Sequence, residues 1–161
     1  MAPGLGREFA MELWPGADAP MHEQVRATAR AEQLPSVGAP IVMRDRDAGA
    51  CKAAVANAER AGVLQDLVIE QGPLSDTSLE SIGSGGLVLT NPPYGLRISD
   101  GADLRSLYAR LGDVVRAGGR GWQLGMLVPD RALAAQTRLT FDAVLRTANG
   151  GFPVEVLVSR A

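Results

Sequence analysis

The chain has 161 residues, a formal net charge of −2 and one cysteine. That length fits one domain with a real core, and the near balance of charge gives nucleic acid no global attraction, leaving only a local patch. Cys51 alone excludes an intrachain disulfide and points to a reducing compartment. The lone His22 argues against histidine catalysis and His/Cys metal clusters, and the absence of a membrane span or signal-peptide pattern predicts a cytoplasmic protein.

Residues 1–20 are rich in Gly and Pro and read as an irregular leader, docked rather than loose because Phe9, Met11, Leu13 and Trp14 are apolar. Residues 21–34 carry helix formers without a breaker up to Pro35. Residues 39–43 form a short apolar strand, closed by Asp45. Asp47 then stands where it can N-cap a helix over Ala48–Ala61, which Gly62 ends. Cys51 falls inside that alanine-rich run and reads as a small core residue.

Residues 64–70 give the next strand, 72–85 a loop with turn residues, and 86–90 an apolar run that reads as a fully buried strand. Residues 103–117 place Leu104, Leu107, Tyr108, Leu111, Val114 and Val115 at helical spacing, and Gly118-Gly119 stop that helix. Trp122–Val128 is a strand and 129–139 a short helix with arginines outward. Strands over 141–146 and 154–158 are joined through Ala148-Asn149-Gly150-Gly151, a hairpin signal. Alternating strands and helices followed by an antiparallel hairpin predict a doubly wound α/β sheet with a reversed last strand. All basic side chains except Lys52 are arginine, which reads as genome composition more than as an RNA signature.

The chemistry centres on Asn91-Pro92-Pro93-Tyr94, which follows the 86–90 strand. Neither proline has a backbone N–H and both fix φ; each also restricts the residue before it to extended conformations. The outcome is a stiff bend at a strand's carboxyl end, where open α/β sheets bind ligands. Its groups suit a planar ligand with an exocyclic amine. The Asn91 Oδ1 and the Pro92 carbonyl can accept from an –NH2, while the Tyr94 ring stacks on the ligand face.

Asn-Pro-Pro-Tyr at a strand end resembles motif IV of the class I S-adenosylmethionine-dependent amino-methyltransferases, which methylate exocyclic or side-chain amino groups. The segment Gly6-Arg7-Glu8-Phe9-Ala10-Met11-Glu12-Leu13-Trp14 is similar to one found in guanine-N2 RNA methylases that usually carry an upstream THUMP RNA-binding domain. The resemblance covers nearly the whole chain and is nearest to the catalytic half of the 23S ribosomal RNA guanine-N2 methyltransferases. It implies a Rossmann-like class I methyltransferase sheet, S-adenosylmethionine as cofactor and RNA, in particular ribosomal RNA, as partner. It implies catalytic roles for Asn91, Pro92, Pro93 and Tyr94. Asp45 would hold the cofactor ribose, and Arg46 would lie over the adenine.

Two departures stand out. Pro73 replaces the acid usual after the second strand, and Asp76 is a loop substitute at best. The glycine-rich loop D-P-x-C-G-S-G-T that should precede Met1 is not in these residues, so the chain is expected to be an N-terminally truncated form of the domain. Cofactor binding by the chain alone is then expected to be weak. The gap between the Asp45 and Asn91 strands would close by direct pairing or by self-association. Two other readings stay open: a non-catalytic remnant of the fold, and a DNA N6-adenine methyltransferase, which shares Asn-Pro-Pro-Tyr but not the Phe9/Trp14 segment.

Overall fold

The computed structural model describes residues 5–94 and 104–160. Its contacts gather into two units, Met1–Gln71 and Gly72–Ala161.

The first unit is a βαβ turn with a helix before it. Helix α1, Ala19–Ala31, starts at Asp18, whose carboxylate accepts the Met21 N–H at 3.0 Å, with Pro20 in the first turn. Strand β1 is Ile41–Asp45 and begins two residues later than the apolar pattern predicts. Pro40 has no N–H to offer a ladder, so pairing starts after it. Helix α2, Ala48–Ala61, is capped as expected, with Asp47 accepting the Ala50 N–H at 2.7 Å and Gly62 closing the last turn. A 3-10 turn at Leu64–Asp66 takes the start of the predicted second strand, and β2 is Leu67–Gln71. β1 and β2 pair in parallel from Ile41↔Leu67 to Asp45↔Gln71.

The leader is docked onto α1. Arg26 donates to the carbonyls of Leu5 at 3.1 Å and Arg7 at 2.7 Å and pairs with Glu12 at 2.5 Å. The Phe9 ring lies under two guanidiniums, Arg7 at 4.8 Å and Arg26 at 5.6 Å from its centroid. One arginine thus satisfies backbone carbonyls that a Gly/Pro-rich segment cannot pair by itself.

The second unit holds β3 (Gly86–Thr90), α3 (Leu104–Ala117), β4 (Trp122–Val128), α4 (Arg131–Ala135), β5 (Phe141–Asn149) and β6 (Phe152–Ser159). The strand order is β3-β4-β6-β5. β3 and β4 are parallel, and β6 runs antiparallel to both β4 and β5. The predicted reversed strand is therefore β6, inserted between β4 and β5. Asp103, the predicted first residue of α3, lies outside the described residues.

The core of this unit is one face of α3 laid on the sheet. Tyr108, Leu111, Val114 and Val115 meet Leu124, Met126 and Val128 of β4 and Leu157 of β6. Gly112 lets the end of α4 come close: a Cβ there would sit 2.7 Å from the Thr137 Cα. The buried Ser159 hydroxyl accepts the Leu124 N–H at 2.9 Å, so this buried polar atom is paired.

Three expectations change. β3 is not buried on both faces: Val88 packs on the core, but Leu87 and Leu89 are 53% and 74% exposed. It is the edge strand of its sheet, and α3 packs on one side only. The closing hairpin is longer than predicted at both arms, and the 129–139 helix shrinks to Arg131–Ala135.

Candidate functional site

Asn91 follows the last residue of β3, and the bend it opens is described through Tyr94. Pro92 is buried and anchors the bend, whereas Asn91 and Pro93 are exposed and Tyr94 is half-buried. The Asn91 amide makes no hydrogen bond among the described residues. The exposed amide can present one carbonyl acceptor and two N–H donors to a ligand. Tyr94 is fastened: its hydroxyl accepts from Asn149 Nδ2 at 2.7 Å. All four residues that the motif singles out are thus in one stretch at the carboxyl end of β3.

Tyr108 adds a feature that its helical spacing alone conceals. Its side chain is fully buried, and its hydroxyl has no hydrogen-bond partner among the described residues. Burial pushes its phenol up to about 12, with the nearby Tyr94 phenol adding to the shift. A neutral hydroxyl, unpaired among the described residues, therefore lies close to the Tyr94 end of the bend.

A charged cluster stands where β4 ends. Val128, the last residue of β4, pairs with Glu155. Glu155 accepts from Arg131 Nε at 2.6 Å and Arg146 Nε at 2.8 Å, and these two guanidiniums hold its carboxyl below the usual range. Two arginines share one carboxylate, so the cluster keeps a net positive charge.

Asp45 and Arg46 belong to the first unit. Asp45 is the last residue of β1, and one of its carboxylate oxygens, Oδ1, accepts the Asp47 N–H at 2.9 Å. That bond holds the carboxylate at the strand end, and its Oδ2 makes no hydrogen bond among the described residues. The Arg46 carbonyl accepts from Gln71 Nε2 at 3.3 Å, and its side chain is exposed. Cys51 is half-buried with its thiol 3.5 Å from the Asp45 carbonyl and 3.6 Å from that of Glu70, a packing position beneath the strand ends. Among the described residues no group of three or more His, Cys, Asp or Glu side chains is placed to hold a metal. No helix among them is long and apolar enough to cross a membrane.

The hydrogen bond from Asn149 was not foreseen from the motifs. Asn149 stood out only as part of a turn signal. The clue would have been strand direction, since β5 must run parallel to β3 for its end to arrive on the same side of the sheet.

Comparison with known proteins gives this arrangement a family. The chain is 31% identical to the ribosomal RNA large subunit methyltransferase K/L of Chromohalobacter salexigens over 98% of its own length and 22% of that protein's. It is 33% identical to the enzyme of the same name from Syntrophotalea carbinolica, over 97% of this chain and 23% of the relative. The chain thus spans less than a quarter of the length of these curated relatives. Among solved structures it superposes on SMU.472, a protein complexed with SAH, with a TM-score of 0.83 and 26% identity, covering 98% of this chain and 41% of that one. The fold is accordingly the Rossmann-like class I methyltransferase sheet. The family model for UPF0020, described as RMKL-like, methyltransferase domain, matches residues 1–154. The chain belongs to that family.

Proposed function

From membership of this methyltransferase-domain family, we propose that the chain carries the acceptor side of an S-adenosylmethionine-dependent amino-methyltransferase acting on RNA, with N2 of a guanine in ribosomal RNA as its target. The observation that carries the reading is the Asn91 amide, exposed and without a hydrogen bond among the described residues, on a proline-stiffened strand end beside a fastened Tyr94. The ribosomal RNA enzymes among its relatives support the choice of acceptor.

Each residue has a share in the chemistry. The Asn91 Oδ1 and the Pro92 carbonyl accept from the exocyclic –NH2 and aim its lone pair. As positive charge grows on that nitrogen, the same two oxygens stabilise it. The proton leaves after transfer, so no strong base is needed beside the amine. Tyr94 stacks on the base and Pro93 keeps the bend extended. Bound S-adenosylmethionine supplies the electrophilic methyl. Asp45 would hold its ribose: one carboxylate oxygen is fixed by the Asp47 N–H, and the other, without a hydrogen bond among the described residues, can accept from a hydroxyl. Arg46 offers an exposed guanidinium plane for the adenine.

The test is transfer of tritiated methyl from S-adenosylmethionine to unmethylated large-subunit ribosomal RNA, followed by digestion to nucleosides. Label in N2-methylguanosine that disappears with Asn91→Ala supports the reading. Label on DNA adenine, or label that survives Asn91→Ala, overturns it. No label on any acceptor assigns the chain to the non-catalytic alternative.

A further inference from the structure

The β5–β6 hairpin outruns its neighbour. β4 ends at Val128 opposite Glu155. β5 and β6 go on pairing through Thr147↔Val154, Ala148↔Pro153 and Asn149↔Phe152. Three residue pairs therefore stand past the end of β4, an overhang of roughly 10 Å. The turn at the tip needs positive φ at both central residues, and Gly150 and Gly151 supply it at +58° and +86°. In a two-residue turn Asn149 and Phe152 form the hydrogen-bonded pair. Pro153 then falls at a position that owes β5 no N–H, and it lies beyond the reach of β4. The overhang is thus a feature that local chemistry permits and fixes in register.

Direction and spacing decide what the tip meets. β6 is antiparallel to both β4 and β5, and β3 is parallel to β4. The carboxyl ends of β3, β4 and β5 therefore share one end of the sheet. β3 and β5 stand three strand spacings apart, about 14 Å. Yet the Tyr94 hydroxyl is 2.7 Å from Asn149 Nδ2. Four residues and one phenol side chain, met by the overhanging tip, bridge that separation. The Asn91–Tyr94 stretch is thus a strap that starts at β3 and is fastened through Tyr94 to β5. Pro92 and Pro93 have no N–H with which to hold the strap from its backbone; burial of Pro92 anchors its near end, and the side-chain bond to Tyr94 holds its far end.

We infer that Asn149 is a positioning residue: its amide holds the Tyr94 phenol and thereby sets the plane on which the target base stacks. This rests on the reading of Tyr94 as the stacking platform. The turn's positive φ angles fall on the glycines, so Asn149→Ala removes the amide without straining the hairpin.

The experiment uses the whole chain labelled with 3-fluorotyrosine. Tyr94 and Tyr108 are its only tyrosines, so fluorine NMR gives two sites, assigned with Tyr94→Phe. Asn149→Ala should shift the Tyr94 signal and leave that of Tyr108 in place. Affinity for a fluorescein-labelled single-stranded RNA containing guanosine is then read by anisotropy. Asn149→Ala and Tyr94→Phe should each weaken binding roughly 2- to 10-fold, the range of one net hydrogen bond. The double variant should bind no worse than either single one, because both changes break the same bond. An unmoved Tyr94 signal in Asn149→Ala overturns the inference. So does RNA binding that Tyr94→Ala weakens and Asn149→Ala does not, or losses that add in the double variant. If the chain binds no RNA, or Tyr94→Ala leaves affinity unchanged, the stacking-platform reading fails and the positioning role falls with it. A shifted fluorine signal would still identify that outcome as a failure of the platform and not of the bond.

Discussion

Tyr108→Phe removes one oxygen from the most enclosed phenol of the second unit and should make the protein more stable. The hydroxyl is fully buried and unpaired among the described residues, and leaving such a group unsatisfied costs about 1–3 kcal/mol. Phenylalanine keeps the ring against Leu111, Leu124 and Met126 and leaves only an oxygen-sized gap. A net gain of about 1 kcal/mol is expected, a rise in Tm of roughly 2–4 °C for a chain of this size. The phenol adds a pH signature. Its folded value of about 12 lies above the ordinary 10.0. The folded state therefore resists ionisation, and stability is intact below pH 10 and lost as pH climbs from 10 to 12. The full loss is about 3 kcal/mol, of which about half is gone by pH 11. Urea unfolding at pH 8 and pH 11, followed by tryptophan fluorescence, should show the variant ahead by about 1 kcal/mol at pH 8 and by roughly twice that at pH 11. A variant less stable than the wild type by about 1 kcal/mol at pH 8 would mean that the hydroxyl carries a hydrogen bond. Equal losses for both proteins at pH 11 would mean that this phenol is not held neutral.

Three further outcomes are expected. Asn91→Ala should lower turnover far more than cofactor affinity, whereas Tyr94→Ala should weaken base positioning by roughly 1–3 kcal/mol; equal loss of S-adenosylhomocysteine binding in the Asn91 variant, read by calorimetry, would contradict that division. Gly112→Ala forces a Cβ within 2.7 Å of the Thr137 Cα and into its carbonyl, and overpacking of this kind costs about 1–3 kcal/mol or more, visible as a lower urea midpoint. Glu155 is held below its ordinary value by Arg131 and Arg146, so its contribution is present above the unfolded carboxylate range and lost as pH falls through the folded value. Glu155→Gln should therefore flatten the acid limb of the stability profile below about pH 4 while changing the alkaline limb little.

The parts legible in the sequence are those whose cause is local. Asp47 and Gly62 bracket α2 because a side-chain cap and a C′ glycine act within four residues. The Asn91–Tyr94 bend is legible because two prolines restrict the backbone wherever they occur. The parts that escaped depend on what lies beside a segment. Leu87 and Leu89 have the composition of a buried strand, and their exposure follows from their pointing to the face opposite Val88, which α3 does not cover. The bond from Asn149 to Tyr94 joins residues 55 positions apart, and only the order β3-β4-β6-β5 brings them together. The leader's docking rests on Arg26, whose guanidinium meets carbonyls 19 and 21 residues away; apolar Phe9 hinted at the docking, but nothing nearby named its anchor.

The 55-residue reach of that bond also sets an order in time. Tyr94 leaves the ribosome well before Asn149 exists. At about 5–20 residues per second the interval is roughly 3–11 s. Throughout it the strap is complete in sequence and open at its far end, and β3 can pair with β4 before the hairpin is made. Fastening is then among the last steps of maturation, performed by a tip that has to arrive in register. A message cut short before codon 149 would yield a protein that carries the whole Asn91–Tyr94 bend without the side chain that fastens Tyr94.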